Sequence, residues 1–350
     1  MVSFSIDGRI EQRYKILCHI GSGAYGVVWC ALDRVTKMKV AIKKVYDAFG
    51  NRQDAQRTYR EVMLLSTLQL DNIVPLLNVI RSINGTDLYL VFELAETDLS
   101  VVLRHNIMES VQRQYVAYQI VYAVAGLHAR GVIHRDLKPA NVFLNSDCNI
   151  KLGDFGLARC FNTQGGDNDL TEYIATRWYR SPEVLVKSTC YTTAMDMWAV
   201  GCILGELFTG SPLFTGNSTL HQIGLIVAAL GEPSAEDLES LKSEETWPLI
   251  DSLPAIDPDP LPERLSKYNA DAVDLICKCI VFDPNKRPTA REALQHPYFA
   301  PFTSPSDFEE LDKAVPIKLP FPDEEERPAD QYRSALYDII GNRRKQKLAL

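Results

Sequence analysis

Short runs rich in β-branched and aromatic residues dominate the first quarter of the chain. Runs of this kind, separated by polar and glycine-containing segments, are typical of strands. We therefore predict an antiparallel sheet in this region. Its strands are predicted at YKILCHI from Tyr14, VVWCAL from Val27, KVAIKK from Lys39 and LYLVFEL from Leu88.

One helical pattern lies between the third and fourth of these runs. The segment DAQRTYREVMLLSTL begins at Asp54, which can serve as an N-cap, and it places Val62, Leu65 and Leu68 on one stripe. Because an amphipathic helix buries its apolar stripe, we expect this helix to lie against the sheet.

From Glu109 onward the pattern becomes helical, so the second part of the chain is predicted to be mainly helical. Apolar residues recur there with the helical period at Val116, Ile120, Ala123, Val124 and Leu127. Residues 195–208 are apolar on nearly every side, which predicts a fully buried central helix.

Three further segments differ in composition. Residues 212–262 are rich in proline and acidic side chains and are predicted to form a surface insert. Proline-rich chain continues after His296 to Arg327, and YRSALYDII from Tyr332 predicts a closing amphipathic helix. We detect no internal repeat or low-complexity tract.

Length, composition and charge narrow the class of protein. The chain has 350 residues, of which 46% are hydrophobic, enough to form about two cores. Its formal charge of −8 offers no global attraction for nucleic acid or an acidic membrane, so we expect neither partner. The eight cysteines are scattered, which favours reduced, mostly packed thiols, and the first residues lack the apolar run of a signal peptide.

Three glycines, Gly21, Gly23 and Gly26, form the motif GSGAYG between the first two predicted strands. In a dinucleotide-binding fold the third glycine would enter a helix, whereas Val27 and Val28 begin a strand here. The motif therefore predicts a glycine-rich hairpin whose backbone can lie close to phosphates. A tight turn explains the same glycines, and the motif alone does not separate the two.

Lys43 lies on the third predicted strand, and Glu61 lies on the predicted helix. A single lysine is usually a solvated surface residue. An ion pair between Lys43 and Glu61 would instead hold the ammonium group for the α- and β-phosphates of a nucleotide.

The strongest chemical signal is HRDLKPAN at residues 134–141, followed by DFG at residues 154–156. Phosphoryl transfer needs a carboxylate for the acceptor hydroxyl, metal ligands and a nearby cation. The candidates are Asp136 for the hydroxyl, Asn141 and Asp154 for Mg²⁺, and Lys138 for the γ-phosphate. Polar turns are the alternative explanation, and the completeness of this set argues against them.

Together these motifs are the signature set of the protein kinases, and the chain resembles that family from about Tyr14 to Phe299. The resemblance implies an α+β, bilobal fold, with an antiparallel β-rich N-lobe containing one main helix and a mainly helical C-lobe. It also implies ATP and Mg²⁺ as cofactors. The implied ranges are 1–13 for an N-terminal extension, about 14–92 for the N-lobe, about 93–97 for a hinge, about 98–299 for the C-lobe, and 300–350 for a C-terminal extension that packs back on the kinase domain.

The same resemblance assigns contacts to the nucleotide. The backbone of Glu93 and Ala95 would meet the adenine, Asp98 would meet the ribose, and Phe92 would limit the size of the pocket. The remaining implied nucleotide contacts are Gly21, Gly23, Gly26, Val28, Ala41, Lys43 and Asn141. The implied catalytic set is Asp136, Lys138, Lys43, Glu61 and Thr176.

A Thr-Glu-Tyr sequence at residues 171–173 precedes ATRWYR at residues 175–180 and SPE at residues 181–183. This arrangement resembles the mitogen-activated protein kinases, and it implies that phosphorylation of Thr171 and Tyr173 switches the enzyme on.

Each phosphate would add about −1.5 to −2 charges. Arginine side chains can bind the phosphate and so order the loop. The resemblance implies Arg60, Arg135 and Arg159 as receivers for phospho-Thr171, Arg177 and Arg180 for phospho-Tyr173, and Arg57 as a further receiver. Because Arg60 adjoins Glu61, the phosphate would be coupled to the pairing of Glu61 with Lys43.

Several segments are similar to the atypical extracellular-signal-regulated kinase seven/eight branch, whose members tend to phosphorylate their own Thr-Glu-Tyr. They are YDAFGNRQDAQRTYREV, Phe92 with VFELAETDL, and PLFTGNSTLHQ with Gly216. The family resemblance implies Ser/Thr-Pro targets. In the family, the amide of the residue after the target finds no good partner near Arg180, and proline has no such amide. It implies protein substrates, docking peptides, an upstream activating kinase or self-activation, and a location in the cytoplasm and nucleus.

The chain departs from the family pattern at a few positions. Ser181 replaces the usual alanine, while the buried role falls to Glu183, expected against Arg287. Gly153 predicts a smaller and more mobile pocket floor. The two acidic docking positions carry Ser304 and Asp307, so we expect basic docking peptides to bind weakly.

Two other classes remain as alternatives. A pseudokinase scaffold would bind nucleotide or partners without turnover, but the intact catalytic set argues against it. A cyclin-dependent-kinase relative would usually lack the Thr-Glu-Tyr sequence and would carry a PSTAIRE-like helix, where this chain reads QRTYREVMLL.

Overall fold

The computed structural model describes residues 6–23, 26–160, 177–188, 192–254, 257–323 and 325–348, with side chains up to residue 340. Within these ranges, strands β1 to β10 run over Tyr14–Gly23, Gly26–Asp33, Lys39–Val45, Leu76–Arg81, Leu88–Glu93, Thr97–Asp98, Val132–Ile133, Val142–Leu144, Ile150–Leu152 and Arg159–Cys160. Helices α1 to α14 run over Gly8–Arg13, Arg52–Thr67, Leu99–His105, Ser110–Ala129, Pro182–Leu185, Ala194–Thr209, Thr219–Leu230, Ala235–Ser240, Thr246–Asp251, Leu261–Leu265, Ala270–Cys279, Ala290–Leu294, Pro305–Asp312 and Ala329–Leu348.

Backbone contacts divide the chain into two compact units. The first unit comprises Met1–Glu96, Asp154–Leu157 and Lys318–Leu350, and the second comprises Thr97–Gly153 and Ala158–Ile317.

The first unit is built on a five-stranded sheet with the order β1-β2-β3-β5-β4. Every neighbouring pair is antiparallel, which confirms the predicted sheet. The sequence pattern missed β4, because a register shift between Leu76 and Asn78 breaks the alternation of its side chains.

Apolar clusters cover both faces of this sheet. On one face, Ile10 of α1 packs with Trp29, Ile42 and other strand residues. On the other face, Tyr59 of α2 and Tyr332 of α14 pack with strand residues such as Leu90. Helices α2 and α14 therefore share one core with the sheet.

The helix α2 begins earlier than predicted. Asn51 is its N-cap and accepts a hydrogen bond from the amide of Asp54, so the prediction of Asp54 as the cap is wrong. The Asn51 side-chain amide in turn donates to the Asp54 carboxylate at 2.6 Å, so both residues serve the same helix end.

The second unit is mainly helical, as predicted. Helix α4 begins after Glu109, and α6 is buried along almost its whole length, with Trp198 fully inaccessible to solvent. The predicted surface insert at residues 212–262 contains exposed residues and also buried apolar ones. Phe214 stacks on Trp198 with ring centroids 5.9 Å apart, and Ile223 and Ile226 of α7 are buried, because this segment contributes to the core.

No described helix is long and apolar enough to cross a membrane.

Candidate active site

Lys43 and Glu61 form an ion pair inside the first unit. Lys43 Nζ on β3 donates to Glu61 Oε1 on α2 at 2.7 Å, and Asp154 Oδ1 lies 3.7 Å from the same nitrogen. Burial opposes the charge of Lys43, but the two carboxylates outweigh it and raise the pKa of its ammonium group. The lysine therefore stays positively charged, as a phosphate-binding cation must.

The segment that follows Asp154 packs against α2. Phe155 is fully buried, and a side chain at Gly156 would come within 2.7 Å of the Arg57 guanidinium, which lies directly against this glycine. Asp154 itself has a left-handed backbone, with φ at 57°, and its side chain is 41% exposed. An exposed carboxylate beside a buried phenylalanine suits a metal ligand on a fixed backbone.

Asp136, Lys138 and Asn141 form a hydrogen-bonded cluster in the second unit. Lys138 Nζ donates to Asp136 Oδ2 at 2.7 Å, and Asn141 Nδ2 donates to the Asp136 carbonyl at 2.7 Å and to its Oδ2 at 3.1 Å. Because both contacts use the nitrogen of the Asn141 amide, its oxygen is the atom left to bind a cation. The donors also fix the orientation of the Asp136 carboxylate.

The backbone before Asp136 is held by Asp196, a residue that the sequence reasoning missed. Its carboxylate accepts hydrogen bonds from the amide of His134 at 2.8 Å and the amide of Arg135 at 2.9 Å. His128 Nε2 lies 3.0 Å from the same carboxylate. Burial would raise the pKa of Asp196, but these hydrogen bonds lower it below its usual range. The signal for this residue was a carboxylate inside an otherwise apolar helix.

These bonds support a strained backbone. Arg135 has φ at 69°, a conformation that a residue with a side chain rarely adopts. The His134 ring nitrogen Nε2 lies 3.0 Å from the Gly153 carbonyl oxygen, which adds a second attachment. The loop that carries Asp136 is thus fixed by buried contacts on both sides of the strained residue.

The three glycines of the first hairpin differ in their surroundings. A Cβ at Gly26 would lie 1.9 Å from the Lys44 carbonyl oxygen, so strand packing alone demands glycine there. A Cβ at Gly21 or Gly23 would meet no described atom within 4 Å. Open backbone at these two positions is compatible with close approach of a phosphate.

The other predicted nucleotide contacts lie on adjacent strands or at strand ends. Val28 is the cross-strand partner of Lys43, Ala41 is the partner of Phe92, and Glu93 ends β5, two residues before Ala95.

Asp98, predicted to meet the ribose, lies in the second unit and caps α3. Its Oδ1 accepts hydrogen bonds from the amide of Val101 and the hydroxyl of Ser100.

Among the predicted phosphate receivers, Arg60 is almost fully buried in the first unit. Its Nε donates to Asp323 Oδ1 at 2.5 Å, and its Nη1 has no hydrogen-bond partner among the residues that the structure describes. An unpartnered guanidinium nitrogen in a buried position is a place where an anion would be stabilised.

Arg177 and Arg180 lie together in the second unit. Arg180 is partly buried, and burial and the charge of Arg177 lower its pKa, while Asp136 acts in the opposite direction. Two neighbouring guanidinium groups create a positive potential that suits an anionic group. Of the remaining predicted receivers, Arg135 and Arg159 also lie in the second unit, and Arg57 lies in the first. Thr171, Tyr173 and Thr176 lie outside the described residues.

Glu183 meets Arg287, as the sequence predicted. Arg287 Nη1 and Nη2 donate to the two carboxylate oxygens, each at 2.7 Å, and the pair is buried. The hydroxyl of Ser181 is buried without a partner in the described part of the chain, so replacing alanine here leaves a polar group unsatisfied.

The ring of Phe143 lies directly against Gly153, and the smaller and more mobile pocket floor stays a prediction. A Cβ at this position would lie 2.3 Å from the ring of Phe143, which fills the space. The Gly153 amide also donates to the Asn141 carbonyl at 2.9 Å, so the residue is held in place.

The predicted docking residue Asp307 already binds two donors. Its Oδ2 accepts from the Tyr118 hydroxyl at 2.8 Å and from the Ser304 amide at 2.7 Å. The neighbouring carboxylate of Glu310 accepts from Tyr122 at 2.7 Å.

No cluster of three or more His, Cys, Asp or Glu side chains that could hold a metal occurs in the described ranges. Asp154 and Asn141 nevertheless offer the oxygen ligands that Mg²⁺ prefers, and Mg²⁺ is usually bound by only one or two protein ligands together with phosphates and water. Each of these two side chains, taken by itself, therefore fits a ligand for Mg²⁺ carried by a nucleotide.

Comparison with known proteins adds independent findings. The Protein kinase domain family matches residues 14–299. Extracellular signal-regulated kinase 2 of Dictyostelium discoideum is 46% identical over 99% of this chain and 95% of its own length. Mitogen-activated protein kinase 15 of Xenopus laevis is 45% identical over 97% of this chain. Extracellular signal-regulated kinase 7 of Drosophila melanogaster is 41% identical over 96% of this chain.

The lengths of these relatives differ. The matched region spans 58% of the Xenopus protein and 37% of the Drosophila protein. The family match, together with the antiparallel sheet and the mainly helical second unit, confirms the predicted fold class.

Proposed function

We propose that this chain, which belongs to the protein kinases, phosphorylates Ser/Thr-Pro sites in proteins. It is a serine/threonine kinase of mitogen-activated type, similar to the atypical extracellular-signal-regulated kinase seven/eight branch. The observation that carries the proposed phosphoryl transfer is the cluster around Asp136. Its carboxylate is oriented by Lys138 and Asn141, on a loop that Asp196 holds. A fixed carboxylate is what an acceptor hydroxyl needs to lose its proton.

Each residue then has a role. Asp136 accepts the proton of the substrate hydroxyl, and Lys138 lies beside it as the cation for the transferred phosphate. Lys43, held by Glu61, binds the α- and β-phosphates. Asn141 and Asp154 would hold Mg²⁺, which supplies neutralisation of the phosphate charge when it is bound.

We propose in addition that phosphates on Thr171 and Tyr173 switch the enzyme on. The support comes from the receivers: Arg60 has a buried nitrogen without a partner among the described residues, and Arg177 and Arg180 lie close together. Arg60 is next to Glu61 on α2. A phosphate bound at Arg60 would therefore also influence the position of this helix and of Glu61.

The proposed activity is tested with Asp136→Asn, which keeps the size of the side chain and removes its charge. We expect kcat for transfer to a Ser-Pro peptide to fall by about 10²–10⁴-fold, the usual contribution of a general base. Asp251→Asn, at an exposed position at the end of α9, is the matched control and should retain full activity. No transfer by the parent, and therefore no effect of Asp136→Asn, would favour a scaffold without turnover. Equal and measurable rates for the two proteins would contradict the role given to Asp136.

Specificity is tested with the same peptide in which alanine replaces proline. We expect transfer to the Ser-Ala peptide to be much slower, because the alanine amide would be left without a partner. Equal rates for the two peptides would contradict proline direction.

Activation is tested by mapping phosphosites on protein expressed in bacteria. Self-activation predicts phosphate on Thr171 and Tyr173 in the parent and none in Asp136→Asn. An active preparation with an unmodified loop would overturn the proposed switch. A loop modified only after addition of an upstream kinase would assign the step to that kinase.

A further inference from the structure

Two cysteines face each other across the first hairpin of the sheet. Cys18 on β1 and Cys30 on β2 are direct partners in the antiparallel register. Side chains that are directly opposite share one face of a sheet, with Cβ atoms about 4.5–5.5 Å apart. Cα separations of opposite residues, about 4.5–5.5 Å, lie inside the range that a disulfide accepts.

The two thiols also differ in access. Cys18 is exposed, whereas Cys30 is buried with 8% of its surface accessible. Burial raises the pKa of the Cys30 thiol, and the hydrogen-bonded Cys18 thiol raises it further. In such a pair the exposed cysteine can be oxidised to a sulfenic acid, and the buried cysteine can then react with it to form a disulfide.

The other cysteines in the described ranges lack this combination. Cys202 and Cys279 are near enough to influence each other, but both are fully buried. Cys148, Cys160 and Cys277 are partly exposed and have no cysteine as a strand partner.

We propose that Cys18 and Cys30 are a reversible thiol–disulfide site, oxidised by hydrogen peroxide or a similar peroxide. Cys18 Sγ attacks the peroxide O–O bond and becomes a sulfenic acid, and one water leaves. Cys30 Sγ then attacks the sulfenic sulfur, the S–S bond forms, and the displaced hydroxide takes the thiol proton as a second water. Two thiols and one H₂O₂ thus give one disulfide and two waters.

Cys18 and Cys30 lie close to the glycine-rich hairpin, so a disulfide between them would constrain that hairpin. The strands that it joins carry Gly21 and Gly23 on one side of the hairpin and Gly26 on the other. Val27, Trp29 and Ala31 face the apolar core, so Cys30 lies on the opposite face together with Val28.

A covalent bond at the base of the glycine-rich hairpin limits how the two strands adjust to each other. Resting on the proposed function, and on the prediction that this hairpin lies close to the phosphates of ATP, we expect oxidation to weaken nucleotide binding severalfold and reduction to restore it.

The experiment treats the full-length protein with a graded amount of H₂O₂ and digests it without reducing agent for mass spectrometry. We expect a cross-linked peptide pair that contains Cys18 and Cys30 and that disappears with dithiothreitol. Cys18→Ser changes an exposed residue and should abolish the cross-link without affecting the fold. Cys148→Ser, which removes a thiol that has no cysteine opposite it, is the matched control and should keep the cross-link.

The affinity for Mg²⁺·ADP is measured by calorimetry on reduced and oxidised protein. We expect a severalfold loss on oxidation of the parent and of Cys148→Ser, and no change for Cys18→Ser. Over-oxidised Cys18 without a cross-link, or a cross-link that persists in Cys18→Ser, would overturn the site. A cross-link with unchanged affinity would overturn its effect on the nucleotide, while failure of the reduced protein to bind Mg²⁺·ADP would count against the proposed function alone.

Discussion

Arg287 in the second unit and Arg60 in the first are both almost fully buried, with 0% and 2% of their side-chain surface exposed, and each binds a carboxylate. The surroundings of Arg287 are complete. Two of its hydrogen bonds go to Glu183, and three more go to the carbonyls of Val281, Phe282 and Ala194. All five N–H groups of this guanidinium therefore have an acceptor.

Arg60 is different, because its Nη1 finds no acceptor in the described part of the chain. It binds Asp323, which belongs to the segment before α14, and Gln56 on α2 donates to the carbonyl of the same residue at 2.9 Å. A saturated buried ion pair does only structural work, whereas an unsaturated one can bind a further anion. The difference separates an arginine whose donors are all used by the described residues from one that keeps a donor for an anion.

The largest expected effect comes from breaking the saturated pair. Glu183→Ala leaves the Arg287 charge buried without its carboxylate, which should lower the free energy of unfolding by about 3–5 kcal/mol. Urea denaturation measures this change. Glu245→Ala, which removes a carboxylate from the exposed pair with Lys187, is the control and should cost at most about 1 kcal/mol. A similarly small loss of stability for Glu183→Ala would show that the complete hydrogen bonding of Arg287 does not contribute to the free energy of unfolding.

A smaller effect is expected at Asp323, and it should depend on phosphorylation. In protein with an unmodified loop, Asp323→Ala leaves Arg60 without its carboxylate and should cost about 1–3 kcal/mol. In protein phosphorylated at Thr171 the cost should fall, because the phosphate provides a second acceptor. Asp312→Ala, at the exposed pair with Arg291, should change little in either form. Equal costs for Asp323→Ala in both forms would mean that Arg60 is purely structural.

The smallest effect is expected for a partly exposed carboxylate that is already occupied. Asp307→Ala removes the contacts with Tyr118 and Ser304 at the start of α13, which should cost about 1 kcal/mol. Because these donors occupy the carboxylate, a lysine- and arginine-rich docking peptide should bind weakly before and after the change. Calorimetry with that peptide is the measurement, and Glu310→Ala is the matched variant at the neighbouring carboxylate. Micromolar or tighter binding that depends on Asp307 would contradict the expectation.

Much of the fold was predictable because it depends on local patterns. Four of the five strands in the main sheet follow from runs of β-branched and aromatic residues, and α2 and α4 follow from the period of their apolar residues. Helix α6 follows from a segment that is apolar on nearly every side. The cap of α2 was not predictable, since Asn51 and Asp54 are both good capping residues and the contact between them decides the helix start. The closing helix also begins before Tyr332, at Ala329.

The candidate site divides in the same way. Lys43, Glu61, Asp136, Lys138 and Asn141 were identifiable because their spacing along the chain is characteristic. Asp196 was not, because its partners at residues 128, 134 and 135 are distant in the sequence and hydrogen bonds leave no periodic pattern.

The sequence by itself determined the family, the catalytic residue types and most of the elements, because these depend on motif spacing and on the period of apolar residues. Only the tertiary structure decided which arginine is saturated, which glycine is required by packing and which two cysteines meet. Each of these depends on atoms that the fold brings together from distant positions, such as the carbonyls around Arg287 or the strand opposite Cys18. A pattern along one chain holds no record of such contacts until the strands and helices have packed.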